Sequence, residues 1–317
     1  MDSRNRGLLH FLLKRKYQSA DEILMNRIQE TSSLDYYDSY LAAAVEQKLM
    51  DGDYKLPILP VIATKLIGKL SNDQESLENI AALVEQDQAL AGHVLRFANS
   101  VLFAGNTPVS SIREGITRVG FKVIGEFATI LTFGDSIFKA KGLEPLMDRV
   151  LSHAVLTAYI GREMARLLQK DEDQQFMCGL LHTVGKPIIL QLVSEMGLLI
   201  PMDPPHEGLI TMTDRLHLKA GKLACNRWNL PNEVRSSCAH YLDSERAKEH
   251  QDAVRITCLA SQLADLCQTE DTFLEEKLRS DSLFDTLGFQ KGQVQHIFDI
   301  KEKIMEDTKA MLAVGTA

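Results

Sequence analysis

The centre of the chain reads Gly179-Leu-Leu-His182-Thr183-Val-Gly185-Lys186, within an apolar stretch that covers residues 173–193. Hydrophobic residues in this stretch follow the period of a helix. The same period recurs on both sides of it, over residues 148–169, 210–227, 231–242 and 250–267. Strict alternation of the strand type is nearly absent along the chain. The sequence therefore predicts an all-α fold.

The composition agrees with a helical globular protein. Of 317 residues, 45% are apolar and 25% are charged, which excludes a wholly disordered chain. Gly (19) and Pro (9) are sparse and aromatic residues make up only 6%, which favours helices over many short strands. The five cysteines are odd in number and form no Cys-x-x-Cys pair. This usage is typical of reduced thiols and predicts a cytoplasmic protein without disulfides or a thiolate zinc site.

The net charge of −8 argues against broad nucleic-acid binding, because the chain repels phosphate. No apolar run approaches the roughly 18 residues of a membrane span, so none is expected. Residues 1–16 carry five basic residues and one acid, a net charge of +4, which leaves −12 on the remainder. This segment is either a terminal helix packed on the body or an amphipathic helix that attaches peripherally to an anionic partner or lipid surface.

Several local signals mark helix starts in the first half of the chain. Ser76 and Asp87 are placed as N-caps, and Ser111 with Glu114 has the spacing of a capping box. Leu56-Pro-Ile-Leu-Pro60 predicts a rigid extended entry, since each proline disfavours the helical conformation of the residue before it.

These motifs together resemble the HDOD family, the HD-related output domains of bacterial signalling proteins. The resemblance covers about residues 51–268. It rests on the order and spacing of five motifs: Leu56-Pro-Ile-Leu-Pro60, the run from Asp87 to Ser100 (DQALAGHVLRFANS), the run from Ser110 to Gly120 (SSIREGITRVG), Gly179-Leu-Leu-His182, and Trp228-Asn-Leu-Pro231.

The resemblance implies a degenerate metal site. HD enzymes hold a divalent cation with a His-Asp pair, an upstream His and a downstream Asp, and the cation activates water for phosphoester hydrolysis. Here His153 matches the upstream His and His182 the His of the pair, but Thr183 stands at the Asp position. The downstream Asp aligns with Ser261, and Asp265 follows one turn later. His217 and His240 match further family histidines, with His240-Tyr241 where related enzymes often have a His-His pair.

Two interpretations of these positions remain open. Without the carboxylates, the histidines are expected to fill polar sites in a helical core, with no catalytic residue, no metal and no other cofactor. The alternative is a residual metal site on His153, His182 and His240, or an anion site. Enzyme activity is accordingly uncertain, and the sequence leans against it.

The predicted organisation is two helical subdomains with flanking helices. The HDOD-specific N-terminal bundle spans 51–146 and the degenerate HD-like bundle 147–268, with helical extensions over 1–50 and 269–317. The expected function is a non-catalytic signal-transduction output or scaffold module that binds a protein partner. Two alternatives remain: a divergent metal-dependent phosphohydrolase acting on a nucleotide or cyclic dinucleotide, and a small-molecule or anion sensor that uses the vestigial HD pocket.

Overall fold

The computed structural model describes residues 33–52, 84–103, 107–131, 140–196, 207–269 and 272–315, together with positions 54, 56, 81, 82, 105 and 138. The basic segment 1–16, residues 57–60 of the extended entry and the predicted cap Ser76 lie outside this set. Across the described residues the fold is all-α, as predicted, with no strand.

The helices of the described residues follow one another through short connections. In the N-terminal half they are α1 Ser33–Asp51, α2 Gln88–Ala98, α3 Ile112–Val119 and α4 Phe121–Leu131. In the central bundle they are α5 Glu144–Leu167, α6 Glu172–Leu181, α7 Gly185–Glu195, α8 Glu207–Arg227, α9 Asn232–His240 and α10 Gln251–Thr269. The C-terminal region contains α11 Thr272–Arg279, α12 Ser282–Leu287 and α13 Lys291–Gly315.

The predicted helix starts are present where the structure describes them. The Asp87 carboxylate accepts hydrogen bonds from the backbone N–H groups of Ala89 and Leu90 at the start of α2. The Ser111 hydroxyl accepts from Glu114 N–H at the start of α3. The Glu114 carboxylate reaches one residue further back than in a capping box and accepts from Ser110 N–H at 2.9 Å. These caps satisfy amides that a helix start leaves unpaired.

The apolar stretch 173–193 is two helices, where the sequence pattern predicted one. A turn over 182–184 separates α6 from α7. The physical reason is Pro187, whose ring would clash with the carbonyl of Thr183 inside a continuous helix. The break places Pro187 in the first turn of α7, where a proline is tolerated. It also puts His182 and Thr183 in a tight turn rather than on a straight helix.

Two glycines allow the close helix contacts that hold this turn in place. A Cβ on Gly179 would lie 2.5 Å from Ala158 Cα, so α6 lies directly against the backbone of α5. A Cβ on Gly185 would overlap the carbonyl oxygen of His217, so the start of α7 lies directly against α8. The His182 turn is thereby pressed between α5 and α8.

The buried apolar side chains form two clusters. The larger joins α1 to α4 with the central bundle and includes Phe97, Phe127 and Phe176, all fully buried. The smaller packs α5 and α10 against α11, α12 and α13 around Leu263 and Phe298. Helix α5 contributes to both clusters, so it connects the N-terminal, central and C-terminal helices. The subdomain boundaries at 50/51, 146/147 and 268/269 stay a prediction.

Among the described residues, one helical stretch is long and apolar enough to cross a membrane. It spans Glu172–Glu195, which comprises α6 and α7, and 89% of its most apolar window is buried inside the protein. Such burial is typical of the core helices of a soluble protein.

Candidate functional site

The predicted site positions meet at a cavity of about 470 Å³ in the central bundle. Its walls come from α5, the α6–α7 turn, α8, the segment after α9, and α10. We call it the histidine cavity and define it by the lining residues His153, Thr183, His217, Tyr241, Ser261 and Asp265. His182 is fully buried and lies directly behind His153.

Three polar groups converge on His153. Its Nε2 atom lies 3.2 Å from His182 Nε2 and 3.2 Å from Ser261 Oγ. Its Nδ1 atom lies 3.1 Å from Asp265 Oδ1, on the opposite side of the ring. Helices α5, α6 and α10, distant in sequence, therefore supply one connected polar cluster.

The hydrogen-bond partners assign the protonation of this cluster. His182 Nδ1 lies 2.6 Å from the Gly179 carbonyl, which only accepts, so Nδ1 carries the proton. Burial, together with the neighbouring His153, holds the pKa of His182 well below its ordinary value. His182 is therefore neutral, and its Nε2 lone pair accepts from His153 Nε2–H. Both His153 contacts are hydrogen bonds when the ring carries a proton on each nitrogen and faces the Asp265 carboxylate as an imidazolium.

His217 is held in the same way on α8. Its Nδ1 atom lies 2.8 Å from the Asp214 carbonyl, and its Nε2 accepts from the Tyr241 hydroxyl at 2.8 Å. Burial and the nearby Lys186 lower the pKa of His217 to about 4. Burial also raises the pKa of Tyr241, so the phenol stays protonated and donates. The Tyr241 ring packs edge-on against His182 at 4.6 Å between centroids.

The structure does not bring His240 to this site. Its side chain is half-buried and is not among the lining residues, whereas its neighbour Tyr241 is. Of the pair His240-Tyr241, the second residue is the one that faces the cavity. The sequence signal for Tyr241 was therefore present, but the interpretation assigned it to the wrong member of the pair.

Two basic side chains that sequence reasoning did not single out line the cavity. Lys186 forms an ion pair with Asp214 at 2.7 Å, and Arg149 is exposed. Lys186 belongs to the opening motif, four residues after His182. Arg149 precedes His153 by one helical turn, so helical spacing was the only signal for it.

The donor atoms present do not fit the metal centre of HD enzymes. The side of His153 that faces His182 offers two imidazole nitrogens and the Ser261 hydroxyl, and position 183 supplies a second hydroxyl. The nearest carboxylate, Asp265, contacts the opposite nitrogen of His153. Hydroxyls do not replace the anionic oxygens that hard divalent cations require. Across the described ranges, no group of three or more His, Cys, Asp or Glu side chains is arranged to hold a metal ion.

Comparison with known proteins places the chain in a family. The sequence model of the HDOD domain matches residues 56–243. An uncharacterized protein of Treponema pallidum is 27% identical over 204 residues, which cover 61% of this chain and 38% of that protein. The uncharacterized protein YuxH of Bacillus subtilis is 23% identical over 58% of this chain and 44% of its own length. The chain thus spans about two-fifths of the length of these relatives.

Solved structures share the fold at low identity. An HDOD domain protein with unknown function from Geobacter sulfurreducens has a TM-score of 0.65 at 19% identity, covering 84% of this chain and 97% of that one. A presumed metal-dependent phosphohydrolase from Shewanella amazonensis has a TM-score of 0.62 at 19% identity, covering 86% and 98%. The family match spans more than half of the chain, and these structures share its all-α architecture. The chain belongs to the HDOD domain family.

Proposed function

We propose that the chain is a non-catalytic output module of a bacterial signalling pathway, located in the cytoplasm, which acts by binding a protein partner. The observation that carries this proposal is the polar cluster around His153. Hydroxyls occupy the two positions where an HD enzyme has carboxylates, and protein groups partner both nitrogens of His153 and of His182. A presumed signal transduction protein from Marinobacter aquaeolei shares the fold with a TM-score of 0.62 at 18% identity, which supports a signalling context.

Exposed apolar side chains support a partner-binding role. Val101 is 96% exposed on the short 3₁₀ helix after α2, and Phe273 is 75% exposed on α11. Leu242, at the edge of the histidine cavity, is 60% exposed. Apolar side chains at such exposure gain free energy when a partner covers them.

The absence of catalysis is tested by hydrolysis assays with Mn²⁺, Fe²⁺, Ni²⁺ and Zn²⁺ on nucleotides and cyclic dinucleotides. We expect the wild-type protein to release product no faster than the His153→Ala and His182→Ala variants. Turnover that depends on these two histidines would instead support a divergent phosphohydrolase.

Partner binding is tested in cells of the source bacterium with a photo-crosslinking residue at Val101. The control carries the same residue at Glu249, which is exposed and polar. We expect a discrete adduct of one defined mass from position 101 and none from position 249. Absence of an adduct at 101, and at 242 and 273 in parallel variants, would contradict the proposal.

A second candidate function is an anion sensor, which Arg149 and Lys186 favour because both cations line the histidine cavity. Thermal-shift measurements with phosphate and nucleotides test it. A rise in Tm that is lost in Arg149→Ala supports anion binding, and a flat response across the panel argues against it.

A further inference from the structure

A second cavity of about 650 Å³ lies where α2, α4, α5 and α13 meet. We call it the junction cavity and define it by Leu102, Val123, Glu126, Arg162, Ile304 and Thr308. It shares no residue with the histidine cavity. Its volume falls in the range of small-molecule sites, roughly 300–1,000 Å³.

Thr308 on α13 points to a ligand. The residue is 1% exposed, and its hydroxyl has no hydrogen-bond partner. Other buried helical threonines of this chain donate to the carbonyl four residues earlier: Thr129 to Gly125, Thr157 to His153, Thr213 to Leu209 and Thr257 to Ala253. Thr308 does not use this local partner, although its helix offers one. A buried hydroxyl without a partner is costly, so a group outside the chain is needed to satisfy it.

Arg162 supplies a second buried donor to the same cavity. Its Nη1 donates to Glu126 Oε2 at 2.8 Å, Nη2 also contacts the fully buried Glu126 carboxylate, and the guanidinium stacks on Phe176 at 4.4 Å from the ring centroid. The Nε atom is buried and has no partner. The stacked ion pair fixes the guanidinium plane, so Nε–H has a fixed direction.

The remaining walls define the rest of the ligand. Leu102, Val123, Ile300 and Ile304 give an apolar surface beside the two donors. Charged lining residues balance in sign: Arg162, Arg166 and Lys303 against Glu126, Glu163 and Asp307. Because the fixed charges cancel, a neutral acceptor is sufficient and an anion is not required.

We propose that the junction cavity binds a small amphipathic acyl compound, whose carbonyl oxygen accepts hydrogen bonds from Thr308 and Arg162 and whose hydrocarbon part packs on the apolar wall. The ligand contacts the N-terminal helices, α5 and the C-terminal helix at once. It therefore gives the module a chemical input that is separate from both the partner surface and the histidine cavity.

The test uses the full chain and isothermal titration with three probes of equal chain length: octanoate, octanamide and octylammonium. Octanoate and octanamide carry a carbonyl oxygen, whereas octylammonium has no acceptor. We expect one saturable site for octanamide or octanoate and no saturable binding of octylammonium. The comparison of the first two distinguishes a charged from a neutral head group.

Two matched substitutions locate the site. Thr308→Val removes the unpartnered hydroxyl, and we expect the Kd of the bound probe to rise about three- to tenfold, as for loss of one hydrogen bond. Thr213→Val makes the same change in the histidine cavity, where the hydroxyl is already bonded to Leu209, and should leave Kd unchanged. Equal binding of octylammonium, no saturable binding of any probe, or a Kd that responds to Thr213→Val and not to Thr308→Val would each overturn the proposal.

Discussion

The two cavities of this chain differ in how their polar groups are partnered. In the histidine cavity His153, His182 and His217 bond to protein groups through both ring nitrogens. In the junction cavity the buried donors of Thr308 and Arg162 Nε lack any partner. A polar site that is satisfied internally has little to gain from a ligand, whereas an unsatisfied one gains the full hydrogen-bond energy.

The comparison separates ancestry from present use. The histidine cavity keeps the imidazoles that its family resemblance implies, but a closed network of side chains stands where a metal centre would need free donors. The junction cavity carries no motif of the family, yet it has the features of a ligand site. Four expected outcomes test this difference.

The largest effect is expected at the contact that builds the histidine cavity. In Gly185→Ala the new Cβ overlaps the His217 carbonyl, a backbone atom that cannot move aside, so the free energy of unfolding should fall by about 3 kcal/mol. Gly292→Ala is the control, because its Cβ meets nothing within 4 Å on α13. There the helix should gain about 0.5–1 kcal/mol. Denaturant unfolding measures both, and an undisturbed Gly185→Ala would refute the close contact.

The second outcome concerns acid. The folded pKa of His217, about 4, lies below the unfolded value near 6.5, so the unfolded chain takes up a proton that the folded chain refuses. Stability is therefore present at neutral pH and lost as pH falls from 6.5 towards 4, by up to about 3 kcal/mol for this residue. The depressed pKa of His182 adds to the loss in the same direction.

Unfolding measured across this pH range should show a smaller slope in His217→Leu than in the wild type. Tyr241→Phe, which keeps the imidazole, should retain most of the slope. Identical slopes in the wild type and His217→Leu would show that His217 is not held neutral by burial.

The third outcome is a loss of stability at neutral pH in Tyr241→Phe. Its hydroxyl is the partner of His217 Nε2, so the substitution leaves a buried acceptor unpaired. We expect the free energy of unfolding to fall by about 1–2 kcal/mol. No change would mean that water replaces the phenol, and that the histidine cavity is more open than its hydrogen bonds indicate.

The fourth and smallest outcome compares one substitution in both cavities. Thr213→Val removes a bonded hydroxyl and should cost about 0.5–1.5 kcal/mol. Thr308→Val removes an unpartnered one and should leave stability unchanged or slightly higher. Equal losses in the two variants would show that the Thr308 hydroxyl is satisfied in solution.

The sequence predicted much of this arrangement and missed identifiable parts of it. Helical periodicity and caps such as Asp87 predicted the all-α fold, and the spacing of motifs predicted that His153, His182 and Ser261 belong together. The break at 182–184 was missed because hydrophobic periodicity outweighed the proline signal at 187. Tyr241 was missed because a pattern does not show which of two adjacent residues faces inward.

The junction cavity had no sequence signal at all. Glu126, Arg162 and Thr308 lie on three helices that are far apart in the chain, and no local pattern links them. Thr308 looks like any other helical threonine until its neighbours are known. Only tertiary packing shows that its hydroxyl lacks a partner.

The most direct test of the account is the metal content of the purified protein, compared with that of the His182→Ala variant after identical growth and purification. We expect Mn, Fe, Ni and Zn to remain far below one ion per chain in both, because the cluster around His153 lacks the carboxylates a cation needs. One ion per chain in the wild type, lost in His182→Ala, would contradict it.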